Sequence, residues 1–385
     1  MRMIQVRSLI GILLCLTIFG SKGSVAENLT RLSSHSFGKL SDGREVSAFV
    51  LKNTSGMSVQ ILDLGGIITS LSVPDSSGII ADVTAGFDYP QPYADGAGYM
   101  GAIVGRYANR ISEGTFSIDD VSYTLAKNNG NNAIHGGLVG FDKKIWDAEI
   151  SVGRNHAELI LSTYSLDGEE GYPGHVEVSV TYTLNDQNQL IIDYSATSDK
   201  ATVINLTNHA YFNLDGHDAG SILEHEVMLN ADRFTPIDDS SIPTGAISKV
   251  AGTPLDFRQR KVIGLDIESE HQQIIFGSGF DHNFVINHSE LGVVSLAAEV
   301  YSRNSGRVMK VYTDQPGVQF YTGNFLSGEL VGKDGAVYER RAAFCLETQH
   351  FPDSPNKAIF PSTILRPGDR FASRTIFEFL TDQML

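Results

Sequence analysis

From His175 to Leu184 the chain alternates without a break. Val176, Val178, Val180, Tyr182 and Leu184 take every second position, with Glu177, Ser179, Thr181 and Thr183 between them. Two is the period of a β-strand, whose successive side chains leave opposite faces. A stretch so patterned must lie with one face on a core and the other toward water. The pattern recurs elsewhere. Val46, Ala48 and Val50 share a face, the Asn53–Gly56 turn follows, and Val59 and Ile61 resume the alternation. A turn at Asn185–Asn188 leads into Leu190–Ala196, and Val300–Tyr312 reads as a hairpin around Asn304-Ser305-Gly306. No stretch sustains the capped 3.6-residue apolar period of a helix. The 38 glycines and 14 tyrosines suit turn-rich β structure. The expected fold class is all-β, with the strands in two or more packed sheets.

The N-terminus reads differently. Arg2 and Arg7 precede an apolar run, Leu9–Phe19, that is too short to span a bilayer. Ser24-Val25-Ala26 then offers small residues for cleavage. Residues 1–26 are expected to be a secretory signal peptide, giving a secreted or periplasmic protein with no membrane contact after cleavage. Residues 27–385 show no linker, repeat or low-complexity tract and read as one domain. Loss of Arg2, Arg7 and Lys22 would take the formal charge from −16 to −19. Such an acidic surface repels nucleic acid and anionic lipid. Only Cys345 would remain, so no internal disulfide can form and a large core must supply stability.

Polar clusters interrupt the alternation. Asn205 to Gly216 reads Asn-Leu-Thr-Asn-His-Ala-Tyr-Phe-Asn-Leu-Asp-Gly. As a strand it would put Asn205, Thr207, His209 and Tyr211 on one face, suited to a wet pocket for a polyhydroxylated ligand. Gly105–Ile111 carries Arg106, Asn109 and Arg110. His135 precedes a glycine pair. Gly168–Gly174 is a loop by its glycines and proline. Asp256 lies in Thr-Pro-Leu-Asp-Phe-Arg, Asp281 in Gly-Phe-Asp-His-Asn-Phe, and Gln319 in Gln-Pro-Gly-Val-Gln-Phe-Tyr. Loop aspartates commonly cap turns. Glu347, in Ala-Phe-Cys-Leu-Glu-Thr-Gln, is a carboxylate among apolar strand neighbours, which is unusual unless it is paired or functional. No His-Glu-x-x-His or Cys-x-x-Cys suggests a metal. No phosphate-binding Gly-x-x-x-x-Gly-Lys and no Gly-x-Ser-x-Gly nucleophile motif occurs.

Taken together, Gly-Arg-Tyr-Ala-Asn-Arg-Ile, His135-Gly-Gly, Thr207-Asn-His-Ala-Tyr-Phe-Asn-Leu, Pro-Leu-Asp-Phe-Arg, Gly-Phe-Asp-His-Asn-Phe, Gln-Pro-Gly-Val-Gln-Phe-Tyr-Thr-Gly-Asn-Phe and Phe-Cys-Leu-Glu-Thr-Gln resemble the aldose 1-epimerase (galactose mutarotase) family. They stand in the family's order along nearly the whole of the expected domain. The resemblance implies a large antiparallel β-supersandwich, no cofactor, no metal, and a small-molecule aldose such as glucose or galactose as substrate. It implies Glu347 as general base and His209 as general acid. Asn109, Arg110, His135, Tyr211, Asp256 and Gln319 would bind sugar hydroxyls. The family usually has an aromatic where His350 stands, and its better-known cytosolic members lack a secretion signal. The oligomer would be a monomer or homodimer.

Such an enzyme opens the pyranose, rotates about C1–C2 and recloses the ring. Glu347 would take the C1 hydroxyl proton while His209 protonates the ring oxygen. Opposite charges side by side are expected to lower the carboxyl pKa and raise that of the imidazole. Tyr211 and Phe280 would cover apolar sugar faces. A glycoside hydrolase or lyase would instead use two carboxylates, Glu347 with Asp256 or Asp281. A carbohydrate-binding protein would need no acid–base pair, and a hexose-phosphate epimerase would want extra basic residues.

Overall fold

The computed structural model describes residues 31–290, 292–329 and 331–384. The leader proposed over residues 1–26 lies outside them. Three antiparallel sheets organise the chain. A five-stranded meander runs Leu32–Lys39, Glu45–Lys52, Ser58–Leu62, Ile68–Pro74 and Ile80–Asp82. A nine-stranded sheet includes, side by side, His156–Ser165, Val176–Asn185, Gln189–Ser198 and the central Phe371–Thr381. A second five-stranded sheet ends in Asp281–Val285, Gly317–Tyr321 and Cys345–Gln349. Among the described residues, helix is confined to short pieces such as Gln91–Ala94 and Gln272–Gly277.

The alternation places these strands as expected. Val176, Val178, Val180, Tyr182 and Leu184 are buried and their neighbours partly or fully exposed. Asn185 closes the following turn by accepting the Gln187 and Gln189 backbone N–H groups on Oδ1. The hairpin forms from Ser295–Tyr301 and Arg307–Thr313. In Glu45–Lys52 the alternation slips, since Val46 and Ala48 are buried but Val50 is only half-buried and Leu51 enters the core instead. One apolar cluster unites the sheets. Leu51, Val59 and Ile61 meet Leu159, Val178 and Tyr182, and these join Phe284, Val318 and Phe320 of the third sheet. Burial at about 25 cal/mol per Å² of apolar surface is the main force holding such layers together.

The third sheet decides where chemistry can occur. Phe284, Val318, Phe320 and Leu346 fill its core face. The opposite face is also covered, but by loops and by the Thr207–Phe212 stretch. A strand buried on both faces can carry polar groups on one of them only where that face borders a cavity or a partner.

Candidate active site

Antiparallel pairing sets Asp281 opposite Tyr321 and Tyr321 opposite Cys345. One step along, Gln319 lies opposite Glu347. All five therefore share the face turned from the core. Glu347 sits in an apolar strand because its side chain leaves on the pocket side, and it is 2% exposed.

His209 and Tyr211 come from above. Only Thr207–Asn208 forms a strand, pairing with Ile103–Val104, so the continuous strand expected over this stretch is not found. Beyond it the backbone is pinned singly: His209 N–H donates to Ala102, Gly101 N–H to His209, and Ala85 N–H to Tyr211. The His209 and Tyr211 rings still lie on one side, stacked with centroids 5.1 Å apart. Asn205 and Thr207 do not join them. Asn205 is buried and bonds the carbonyls of Ala108 and His350.

The side wall is made by two loops locked together. His135 N–H donates to the Asn109 carbonyl, and Asn109 N–H donates to His135 Nδ1 at 3.2 Å. Gly136 must be glycine: a Cβ there would lie 1.9 Å from the Gly105 carbonyl oxygen. Behind it, Glu170 accepts the backbone N–H groups of Leu138 and Val139, which is how the Gly168–Gly174 loop supports the wall. Arg106 serves the scaffold, bonding Ser165, Leu166 and Pro173. Arg110 reaches the cavity and donates from Nε to Asn129 Oδ1 at 3.1 Å.

The cavity measures about 350 Å³ and gathers Asn109, Arg110, His135, His209, Tyr211 and Glu347. It also takes in Tyr99, Asn129, Tyr321 and Phe325, which sequence reasoning did not assign to a site, and Asp281, which it named only as the second carboxylate of a hydrolase. The sequence did not favour Asp281 over Asp256 for that place. The position of Asp281 beside Glu347 follows from strand register, which the local sequence does not encode. The Tyr321 and Phe325 rings stack at the mouth.

Three expectations need correction. Asp256 is not in this cavity: Leu255 and Phe257 turn into the core and send Asp256 outward, where Arg258 grips both its oxygens at 2.9 and 2.8 Å in a separate cleft. Gln319 does not line the pocket directly. It lies buried behind it and donates from Nε2 to Asp281 Oδ1 at 2.6 Å. Phe280 packs in the core against Phe257 and Phe320 rather than over a sugar. His350 also stands outside the pocket, bonded to Gln315.

Glu347 Oε1 lies 3.6 Å from His209 Nε2. The expected pKa pattern is reversed. Burial pushes Glu347 well above the usual carboxylate range; Asp281 adds to the rise and Arg110 opposes it. Burial pulls His209 down to about 4. Desolvation thus acts against charge on either group and favours the carboxylic acid and the neutral imidazole in the free pocket. His135 is also held well below its ordinary value, by burial first and then by His209 and Arg110.

Among the described residues, His135, His209 and Glu347 offer ligand atoms within 4.8 Å of one another, close enough for a divalent cation. The donor chemistry fits a polyol better. The Asn109 N–H occupies His135 Nδ1, which leaves the ring proton on Nε2. His135 thus presents a donor to the cavity, where a metal would need a bare nitrogen.

The family model described as Aldose 1-epimerase matches residues 47–378. The galactose mutarotase of Sus scrofa is 45% identical over 344 residues, covering 89% of this chain and 97% of the relative. The aldose 1-epimerase of Escherichia coli (strain K12) is 36% identical over 343 residues, with coverage of 89% and 97%. Among solved structures, an aldose epimerase homologue from C. elegans superposes with a TM-score of 0.78 at 32% identity, covering 86% of this chain and 98% of that one. A galactose 1-epimerase from Lactobacillus acidophilus superposes with a TM-score of 0.80 at 27% identity, covering 91% and 98%.

Proposed function

Since the chain belongs to the aldose 1-epimerase family, we propose that Glu347 and His209 carry the proton transfers by which it interconverts the α and β anomers of a hexose. Anomer interconversion itself follows from the kinship, as does the antiparallel supersandwich. Relatives bear the name galactose mutarotase, and D-galactose is the substrate we assign, with D-glucose beside it. The observation that carries the residue roles is the 3.6 Å approach of a carboxyl and an imidazole inside one hexose-sized cavity.

Ring opening needs a base at the C1 hydroxyl and an acid at the ring oxygen. In the free pocket the two groups hold a single proton, resting on Glu347. The productive form is the other tautomer, carboxylate with imidazolium. Arg110 favours it by lowering the cost of charge on Glu347, and sugar hydroxyls donating to the carboxylate do the same. His209 then protonates the ring oxygen as Glu347 takes the C1 proton; each transfer contributes about 10²–10⁴ in rate. The aldehyde rotates about C1–C2, and reclosure on its other face returns both protons. Asp281, held by Gln319, accepts from ring hydroxyls and sets the orientation of the sugar. His135 Nε2–H and Arg110 donate to oxygens on which charge develops.

We further propose secretion or periplasmic export by the residue 1–26 leader, a reading supported by the sequence of that segment. The function is tested by polarimetry of freshly dissolved α-D-galactose and α-D-glucose with the purified protein. Rotation should relax much faster than in buffer while aryl galactosides release no phenol. A rate equal to that of buffer overturns the reading, and phenol release transfers it to hydrolysis, with Glu347 and Asp281 as the two carboxylates.

A further inference from the structure

Cys345 has no part in the mechanism so far, yet it touches it. It is free, fully buried, and two residues before Glu347 on the same strand face. Its Sγ lies 3.5 Å from His209 Nδ1, within hydrogen-bond reach for sulfur. We propose that Cys345 is a positioning residue for His209: its thiol bonds Nδ1, so that the ring proton sits on Nε2, the nitrogen facing Glu347 and the substrate. The inference rests on His209 being the acid that protonates the ring oxygen.

A neutral imidazole has one N–H and one acceptor nitrogen, and the bond made by one nitrogen decides what the other carries. With the thiol donating to Nδ1, the proton belongs on Nε2, 3.6 Å from Glu347 Oε1. Burial raises the Cys345 pKa well above its ordinary value, so the group stays S–H and can donate. When the pair shifts to carboxylate and imidazolium, Glu347 gives its proton to solvent and Nδ1 takes one from solvent, because Nε2, the nitrogen that faces Glu347, already carries a hydrogen. The thiol then turns and accepts the Nδ1 proton on sulfur.

Sulfur is a weak acceptor. A carboxylate in this place, as behind the histidine of a hydrolytic triad, would hold the imidazolium in its protonated state. Sulfur orients the ring without doing so, and His209 remains an acid strong enough to protonate an ether oxygen. The other ionisable groups that share its cavity are Asp281, Arg110, His135 and the phenols of Tyr99, Tyr211 and Tyr321; the bond at Nδ1 is the thiol's.

The test uses the whole protein with ¹⁵N-labelled histidine, as wild type, Cys345→Ser and Cys345→Ala. In the wild type, NMR should find neutral His209 protonated on Nε2. Cys345→Ser, nearly isosteric but with a better acceptor, should keep that tautomer and raise the ring pKa by about half a unit to one unit. The acid limb of its rate profile should move up equally. Cys345→Ala should give mixed tautomers and lower kcat about tenfold, the size of one ordinary hydrogen bond, with little change in KM. A wild-type ring protonated on Nδ1 overturns the proposal. So does an unchanged tautomer and pH profile in both variants, which would make Cys345 a space-filler. If Cys345→Ala does not fold, Cys345→Ser decides alone. The tautomer is read in the free protein, so this result stands apart from the acid assignment, which fails separately if His209→Asn keeps its turnover.

Discussion

Gln319 faces Glu347 across the strand pairing, yet its amide nitrogen donates to Asp281, at 2.6 Å. One carboxyl is thus held by a hydrogen bond while its neighbour is left to the pocket. Burial and the charge of Asp281 raise Glu347 above the ordinary carboxylate range. Two acidic groups on one sheet face are given different work by their surroundings, an anchor for hydroxyls and a proton carrier.

Replacing Glu347 by Gln keeps the shape and the hydrogen-bonding capacity but removes the base. Galactose binding, followed by calorimetry, should stay within a few-fold, while turnover by polarimetry falls by about 10²–10⁴. Near-normal turnover would assign the base elsewhere.

The rate should be bell-shaped in pH. Below about 4 both groups of the pair are protonated and His209 is the one that loses its proton as pH rises. Activity therefore climbs through that value. It falls again where Glu347 loses its proton, above the usual carboxylate range. His209→Asn should remove the acid limb along with most of the rate, and an acid limb that survives would point to another group.

Asp281 and Asp256 should respond oppositely to amidation. Asp281→Asn removes a pocket carboxylate, raising KM and, by relieving Glu347 of a nearby negative charge, moving the alkaline limb to lower pH. Asp256→Asn breaks an exposed pair with Arg258 in another cleft and should leave kcat/KM within about twofold, as most surface changes do. A large loss in the second variant would restore Asp256 to the site.

Stability should decline in acid. His209, His225 and His350 are held at about 4 and His282 at about 3, each by burial, against an unfolded value of 6.5. Their folded pKa values are depressed, so the unfolded chain binds protons first. The stability they contribute is present above pH 6.5 and is lost as pH falls toward 3. Glu347 and Asp281, raised by burial, act in the opposite sense: what they contribute is present at low pH and lost as pH rises through their folded values. Asp63, Asp142 and Asp314 are raised by burial as well, but burial also holds His135 and His217 low, so among the described residues six depressed histidines stand against five raised carboxyls. Tm measured from pH 7 down to 4 should fall continuously, and a flat profile would contradict this balance.

The period-two pattern of Val176–Leu184 determined a strand with one wet face, and the motifs around Asn109, His135, His209 and Glu347 determined the family and most of the pocket. Both are local properties: alternation follows from backbone geometry, and a motif is read within a few residues. The tertiary structure alone decided that Asp281 enters the cavity and Asp256 leaves it, that Phe280 lies in the core, and that Cys345 meets His209. The places of Asp281 and Cys345 depend on register between strands far apart in the chain, and those of Asp256, Phe280 and His209 on how loops pack against them. It also decided that burial works against charge on Glu347 and His209, because the desolvation of a group is set by what the rest of the fold lays over it, and no stretch of sequence carries that quantity.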